Sequence, residues 1–170
     1  ATQLQKRVFE AMARCFPHPD DRPPVILAVP GYLLVDDVGG HRLPGFEVLW
    51  GDDADQRRRR RCWAAEHPKR YLAGSVVIGT IDQVLLSALA VDHSALRATS
   101  LSRLLLVVDE VHASDTYMNR ILKEVLGFHL AAGGAAFLMS ATLGTTAREQ
   151  LLMTAGTTAP TPFEAATEIP

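Results

Sequence analysis

The chain has 170 residues, which is the length of one ordinary domain. Hydrophobic residues make up 48% and charged residues 21%, a balance that allows a packed core and excludes a disordered, collagen-like or disulfide-scaffold protein. The net charge of -2 excludes a protein that is basic throughout, and no apolar run approaches the roughly 20 residues of a membrane span. We therefore predict a soluble, cytoplasmic protein with no membrane contact.

The first half of the chain predicts one helix and three strands. Leu4, Val8 and Met12 recur at helical spacing, which predicts an amphipathic helix over residues 1–16, and the prolines that follow end it. Residues 25–29 and 75–79 are apolar runs typical of strands covered on both faces, and residues 46–50 form a shorter candidate. The segment between the candidate strands at residues 25–29 and 46–50 is predicted to be a loop, because it contains Asp36, Asp37, Gly39 and Gly40.

The second half continues this alternation of strands and helices. Strands are predicted over residues 104–108 and 135–139, and helices over 82–90, 117–132 and 146–153. We expect residues 1–153 to form the folded part and 154–170 a loosely ordered tail. Apolar strands that alternate with helices predict an α/β fold with a mostly parallel sheet and flanking helices. Three of these strands end in polar residues, at the edge of the sheet where α/β proteins bind ligands.

The strand at residues 104–108 is followed directly by Asp109 and Glu110. An Asp at such a strand end holds Mg²⁺ in nucleoside triphosphatases, and an adjacent Glu can polarise the attacking water. His112, two positions on, can link such a site to neighbouring loops by hydrogen bonds. The alternative is structural: Asp109 caps the next turn and Glu110 is solvated.

The strand at residues 135–139 is followed by Ser140, Ala141 and Thr142. The structural alternative here is a cap for the last helix, a position that Ser and Thr favour. In combination with the Asp-Glu pair on another strand, however, the order and spacing favour a functional site.

These two motifs together resemble motifs II and III of superfamily 2 helicases. Residues 77–83 and 109–115 further resemble the helicase-nuclease that degrades target DNA in type I CRISPR interference. The resemblance extends from the first helix to about Leu152. Members of that family have two RecA-like lobes, an HD nuclease domain and a C-terminal domain, and this chain resembles part of the first lobe.

The resemblance implies roles for individual residues and two cofactors, ATP and Mg²⁺. Asp109 would bind Mg²⁺ and Glu110 would activate water, both beside ATP. Nucleotide state would be coupled to DNA by His112, Ser140, Ala141 and Thr142. Single-stranded DNA would be contacted by Gly79, Thr80, Asp82 and Gln83, although helix capping is an equal alternative for Thr80 and Asp82. The implied partners are single-stranded DNA and the CRISPR surveillance complex.

A run of five arginines precedes a further basic stretch. The run consists of Arg57, Arg58, Arg59, Arg60 and Arg61. Seven basic residues and one acid between positions 57 and 70 give a local charge of +6 (7 − 1), which suits a patch that follows nucleic-acid phosphates. Trp63 and Tyr71 could stack on bases. The alternative is a solvated segment paired with the acids at positions 52–55.

The chain departs from the family in three respects: it has no phosphate loop, no His-Asp pair with a metal-ligand set stands in for the nuclease, and the second lobe would lie beyond Pro170. It contains no G-x-x-x-x-G-K-[ST] phosphate loop. We therefore expect a fragment of a longer protein, or a degenerate reading frame, that lacks the phosphate-loop strand. The resemblance to a RecA-like lobe implies that this strand would lie between the strands ending at Asp109 and Ser140, so its absence would favour self-association.

Two other functions remain open. The first alternative is a catalytically incomplete module that binds nucleic acid or a partner. The second is a Mg²⁺-dependent phosphohydrolase that uses Asp109, Glu110 and Asp115, which would leave Ser140–Thr142 and residues 79–83 without a role.

Overall fold

A computed structural model of the chain describes residues 1–45, 47–51, 61–111, 116–142, 144–154 and 156. The chain divides into two compact units, Ala1–Ser100 and Leu101–Pro170. Within the described ranges, no helix is both long enough and apolar enough to cross a membrane.

The first unit contains a helix followed by a five-stranded mixed sheet. Helix α1 spans Thr2–Cys15, and the strands are β1 (Val25–Ala28), β2 (Leu34–Val35), β3 (Val38–Arg42), β4 (Val48–Trp50) and β5 (Val76–Gly79). Their order across the sheet is β4-β3-β2-β1-β5. Strand β1 runs parallel to β5, while the β1–β2, β2–β3 and β3–β4 pairs are antiparallel. A 3-10 helix spans Pro68–Ala73, and helices α2 (Ile81–Leu85) and α3 (Ser94–Leu101) follow β5.

The core of this unit surrounds β1. All four residues of β1 are at most 1% exposed, which confirms the prediction of a strand covered on both faces. Ile26 belongs to a buried cluster with Val35, Trp50, Cys62 and Ala65. Strand β1 lies between β2 and β5, so both of its edges are paired, and α1 and the 3-10 helix also contact it.

The second unit is built on a parallel strand pair. Its elements are β6 (Leu105–Val108), α4 (Thr116–Ala131), β7 (Ala135–Leu138) and α5 (Thr145–Thr154). Strands β6 and β7 pair in parallel from Leu105↔Ala135 to Val108↔Leu138. Leu106 and Val108 are buried on one face of β6. Gly133, whose φ of +85° favours glycine, lies in the turn between α4 and β7.

The predicted α/β class with flanking helices is confirmed, with differences inside the first unit. Its sheet is mixed, because the segment predicted as a loop forms β2 and β3, joined by a turn at Asp36 and Asp37. The helix predicted over residues 82–90 ends at Leu85. There the Ser87 hydroxyl donates to the Val84 carbonyl at 2.5 Å, a local bond that competes with continuation of the helix. Helix α3 was not predicted.

The expected arrangement of the strands ending at Asp109 and Ser140 was wrong. We expected a missing strand between them, whereas β6 and β7 are direct neighbours with four residues in register. The crossover through α4 places β7 beside β6, as a connection of this length between parallel strands permits. The phosphate-loop strand is therefore not expected between β6 and β7.

Candidate functional site

Two of the predicted motifs meet at the carboxyl edge of the β6–β7 pair. Asp109 and Glu110 follow β6, and Ser140 lies two residues beyond β7. Beyond the strands, the Met139 amide donates to the Val108 carbonyl at 2.8 Å, and the Val111 amide donates to the Met139 carbonyl at 3.1 Å. The acidic motif and the Ser-Ala-Thr motif are therefore joined through their backbones.

Asp109 and Glu110 are both exposed at this edge. The Glu110 amide donates to Asp109 Oδ1 at 2.9 Å. Glu110 has a φ of +56°, a left-handed conformation that is unfavourable for a residue with a side chain and turns the chain away from the strand direction. A carboxylate offers about four acceptor sites, so a single bond to the amide leaves room on Asp109 for a cation. The Asp109 carboxylate therefore fits the oxygen ligands that Mg²⁺ prefers.

Ser140 shapes the turn after β7. The Thr142 amide lies 3.3 Å from Ser140 Oγ, which accepts its hydrogen bond. Helix α5 begins only at Thr145, so the alternative that these residues cap the last helix is wrong. Ala141 and Thr142 are exposed, while Ser140 is half-buried.

The third motif lies in the first unit, where β5 leads into α2. A Cβ on Gly79 would lie 2.6 Å from the Ala28 carbonyl oxygen, so glycine is required there by the close approach of β1. Thr80 occupies the N-cap position of α2, but its side chain makes no capping hydrogen bond. Asp82 is exposed in the first turn, whereas Gln83 is only 6% exposed. Thr80 and Asp82 are thus accessible to a ligand, and Gln83 is largely inside the unit.

Four residues of the predicted arginine run, Arg57–Arg60, lie outside the described residues. His112 of the acidic motif also lies outside them. Arg61 is held by structural contacts: its Nη2 lies 3.4 Å from Asp36 Oδ2, and its Nη1 donates to the Pro19 carbonyl at 3.3 Å. Arg61 therefore pairs with Asp36. The acids at positions 52–55, with which the alternative pairs the arginines, lie outside the described residues.

The two aromatic residues proposed as stacking platforms differ in exposure. Tyr71 is only 2% exposed, and its hydroxyl donates to the Val29 carbonyl at 3.3 Å. Burial raises the pKa of the Tyr71 hydroxyl. Tyr71 is therefore a core residue and not a stacking platform, which corrects that prediction. Trp63 is 45% exposed, with the Arg70 guanidinium 4.9 Å from the centre of its ring.

A group of basic side chains was missed by sequence reasoning. We call it the basic cluster; it comprises Arg42, His67, Lys69, Arg70 and His93. Lys69 Nζ lies 2.7 Å from His93 Nε2, and the Lys69 amide donates to His67 Nδ1 at 3.2 Å. The pKa of His67 is lowered by burial, and then by the positive charges of Lys69, Arg70 and Arg42 and by His93. Only His67, Lys69 and Arg70 lie in the basic stretch of the sequence, and no spacing signal joins Arg42 and His93 to them.

Comparison with known proteins identifies a group of relatives, although no protein-family model matches the chain. It is 44% identical over 94 residues to the CRISPR-associated endonuclease/helicase Cas3 of Escherichia coli (strain K12), which covers 55% of this chain. It is 43% identical over 76 residues to the CRISPR-associated nuclease/helicase Cas3 of Streptococcus thermophilus, which covers 45% of it. The aligned regions span only 11% and 8% of these two relatives.

Solved structures give the same result. The structure of T. fusca Cas3 with ADP matches 95% of this chain and 17% of its own, with 26% identity and a TM-score of 0.63. T. fusca Cas3 bound to AMPPNP and to ATP matches with a TM-score of 0.64 in each case. A chain in a CRISPR RNA-guided surveillance complex, in a pre-nicking state, matches with a TM-score of 0.52. The chain is therefore homologous to a segment of the Cas3 helicase-nucleases of CRISPR systems, as its motifs predict.

Proposed function

We propose that this chain is part of the first RecA-like lobe of an ATP-dependent helicase-nuclease that moves along single-stranded DNA in CRISPR interference. The observation that carries the proposal is the parallel β6–β7 pair, which joins the Asp109–Glu110 segment to the Ser140–Thr142 segment. The homology to Cas3 proteins and the match to nucleotide-bound T. fusca structures support it. The CRISPR surveillance complex is the proposed partner, and the cytoplasm the proposed location.

In this proposal the edge of β6 and β7 handles ATP. Asp109 would hold Mg²⁺, which when bound neutralises charge on the phosphates. Glu110, next in the chain, would orient the attacking water and accept its proton. The backbone bond from Val111 to Met139 gives a physical route by which His112, Ser140, Ala141 and Thr142 could couple nucleotide state to DNA binding.

The proposed DNA contacts lie in the first unit. Thr80 is exposed, and its hydroxyl is not used for capping, so it can donate to a DNA phosphate. Gly79 would allow close approach of the backbone, and Asp82 and Gln83 complete the motif. The arginines proposed to follow the phosphates are Arg57, Arg58, Arg59, Arg60 and Arg61.

The proposal is tested by a chimera of T. fusca Cas3 that carries this chain in place of its matching segment. We expect the chimera to hydrolyse ATP in the presence of single-stranded DNA. Asp109→Asn and Glu110→Gln should each lower the rate by roughly 100-fold or more, because each removes a group needed for the chemical step. Glu124→Gln is the matched control, since it removes one negative charge from the exposed surface of the same unit.

A chimera that folds, as judged by its thermal unfolding, and hydrolyses ATP equally well with Asp109→Asn would contradict the proposal. The absence of a G-x-x-x-x-G-K-[ST] motif in these 170 residues favours a second function for the chain on its own. That function is binding of nucleic acid or a partner without catalysis. It predicts that the 170-residue chain binds single-stranded DNA with an affinity that does not change on addition of Mg²⁺ and ATP.

A further inference from the structure

The basic cluster brings together residues from three separate segments of the first unit. Arg42 ends β3, His67 and Lys69 lie at the start of the 3-10 helix, and His93 lies in the turn before α3. Arg42 Nη2 donates to the Glu66 carbonyl at 2.8 Å, which ties β3 to the start of the 3-10 helix. The fold thus assembles a positive surface that is not continuous in the sequence.

The positive charge of this surface is only partly neutralised. Glu66 is the acid in contact with it: one carboxylate oxygen accepts from Trp50 Nε1 at 3.3 Å, and the other lies 3.7 Å from Arg70 Nη1. Among the described residues, Lys69 pairs with the His93 imidazole and forms no ion pair with a carboxylate. Within the described residues, the three cations Arg42, Lys69 and Arg70 and the one acid shown to contact them, Glu66, sum to a charge of +2 (3 − 1).

Two further features point to a ligand at this surface. His93 has a φ of +66°, a left-handed conformation that is unfavourable for a residue with a side chain, and its imidazole lies against the Lys69 ammonium group. On the other side of the cluster, Arg70 covers one side of the half-exposed ring of Trp63. Cations next to an accessible aromatic ring are the combination with which proteins bind single-stranded nucleic acids.

We infer that the basic cluster binds the phosphates of a single-stranded nucleic acid, with Trp63 as an adjacent stacking surface. The choice of DNA as the polyanion rests on the proposed function, but the cluster is separate from residues 79–83 and from the arginine run. Lys69 would exchange the His93 imidazole for a phosphate oxygen, and Arg42 and Arg70 would bind neighbouring phosphates. Such interactions require no nucleotide and no hydrolysis.

The test measures binding of the 170-residue chain to a fluorescent oligothymidylate over a range of salt concentrations. For a single strand, removing one cation that binds a phosphate lowers the slope of log K against log salt by about 0.7. Lys69→Gln should therefore weaken binding and lower the slope by about 0.7, and the triple change Arg42→Gln, Lys69→Gln and Arg70→Gln by about 2. His93→Asn, which tolerates the left-handed backbone, should leave binding in place, because Lys69 is then free for the phosphate.

Lys6→Gln provides the matched control, since it removes the same charge from an exposed position on α1 in the same unit. Equal binding by the Lys69→Gln and Lys6→Gln variants would overturn the inference, as would no binding by the unaltered chain. Displacement of the DNA by polyglutamate at equal charge concentration would assign the surface to an acidic protein and overturn it as well.

The same measurement separates this inference from the proposed function. If Thr80→Ala weakens DNA binding while Lys69→Gln does not, the basic cluster is not the binding surface and the proposed helicase contacts stand. If the T. fusca chimera fails to hydrolyse ATP although Lys69→Gln still weakens DNA binding, the surface stands without the motor.

Discussion

Asp36 connects more parts of the first unit than its position in a short turn suggests. Its Oδ1 accepts from the Val25 amide at 2.8 Å, and its Oδ2 lies 3.4 Å from Arg61 Nη2. Its carbonyl accepts from Nε2 of Gln5, a buried side chain of α1, at 2.7 Å. Its φ of +57° is a conformation that Asp tolerates better than most residues. Asp36 therefore links α1, the start of β1 and the last residue of the arginine run.

Replacing Asp36 should destabilise the protein by an amount that depends on the substitute. Asp36→Ala removes the acceptor of a backbone amide at the start of β1, breaks the ion pair and places Cβ in an unfavourable backbone, at a cost of about 2–4 kcal/mol. Asp36→Asn keeps the backbone and an oxygen acceptor, so it should cost about 1 kcal/mol or less. Urea denaturation of both variants measures the difference. Equal destabilisation would show that the charge of Asp36, and not its hydrogen bond to Val25, dominates.

The environment of His67 predicts how the stability of the protein depends on pH. Its pKa is lowered below the ordinary value of 6.5, first by burial and then by Lys69, Arg70, Arg42 and His93. As the pH falls through 6.5, the unfolded chain takes up a proton at His67 that the folded chain does not, so stability decreases until the folded-state pKa is reached. His67→Asn keeps an acceptor for the Lys69 amide and cannot titrate. Its melting temperature should therefore fall less between about pH 7.5 and about pH 5.5 than that of the unaltered chain.

The control for His67 is His18→Asn, because His18 is exposed and lies outside the basic cluster. That variant should lose stability with acid as the unaltered chain does. The prediction fails if the His67→Asn and His18→Asn proteins show the same dependence of melting temperature on pH.

At the scale of the elements, continuous apolar runs predicted β1, β5, β6 and β7 to within about a residue at each end. The β2–β3 hairpin was missed because β2 has two residues and β3 contains Gly39 and Gly40, which are unfavourable in strands. Gly40 suits the strand for a tertiary reason: a Cβ there would lie 3.0 Å from the ring of Trp50. The close approach of Gly40 to the Trp50 ring cannot be predicted from any local pattern in the sequence.

Some parts of the candidate site could be predicted from the sequence, and others could not. The Asp-Glu and Ser-Ala-Thr motifs could be predicted to lie together because each follows an apolar strand, and parallel strands bring their carboxyl ends to one edge. In the basic cluster, Lys69 contacts His93, which is 24 positions away, and Asp36 accepts a hydrogen bond from Gln5, which is 31 positions away. Such contacts are set by tertiary packing and leave no periodic signal in the sequence.

Gly79 tests how tightly β1 and β5 are packed. Gly79→Ala places a methyl group 2.6 Å from the backbone oxygen of Ala28, which cannot move without separating the two strands. We expect a decrease of about 1–3 kcal/mol in the free energy of unfolding, measured with urea. Gly39→Ala is the matched control, because a Cβ there meets nothing within 4 Å, and it should be neutral or slightly stabilising. A decrease at Gly79 no larger than that at Gly39 would mean that the strands separate without cost.

At the scale of the whole molecule, one surface of the second unit departs from the usual pattern of a soluble protein. The side of β6 and β7 opposite the buried Leu106 and Val108 presents Leu105, Val107 and Phe137, which are 63%, 51% and 57% exposed. Continuous apolar side chains on two strands form a surface that water solvates poorly, and such a surface favours association. The sequence analysis predicted self-association because a strand would be missing between β6 and β7. The structure supports the same expectation for a different reason, which is the exposed apolar side of these two strands.

We expect the 170-residue chain to associate through this surface in a concentration-dependent way. Each large apolar side chain that becomes buried contributes about 1.5–3 kcal/mol, so Leu105→Thr with Val107→Thr should raise the dissociation constant by roughly tenfold or more. Threonine keeps the preference for strands, and therefore β6 should remain intact. Sedimentation velocity at several concentrations measures the effect, with Met153→Thr, an exposed apolar residue on α5, as the control. A chain that sediments as a monomer at every concentration and unfolds in one sharp thermal transition would contradict the prediction, because the apolar side of β6 and β7 would then be stable in water without a partner.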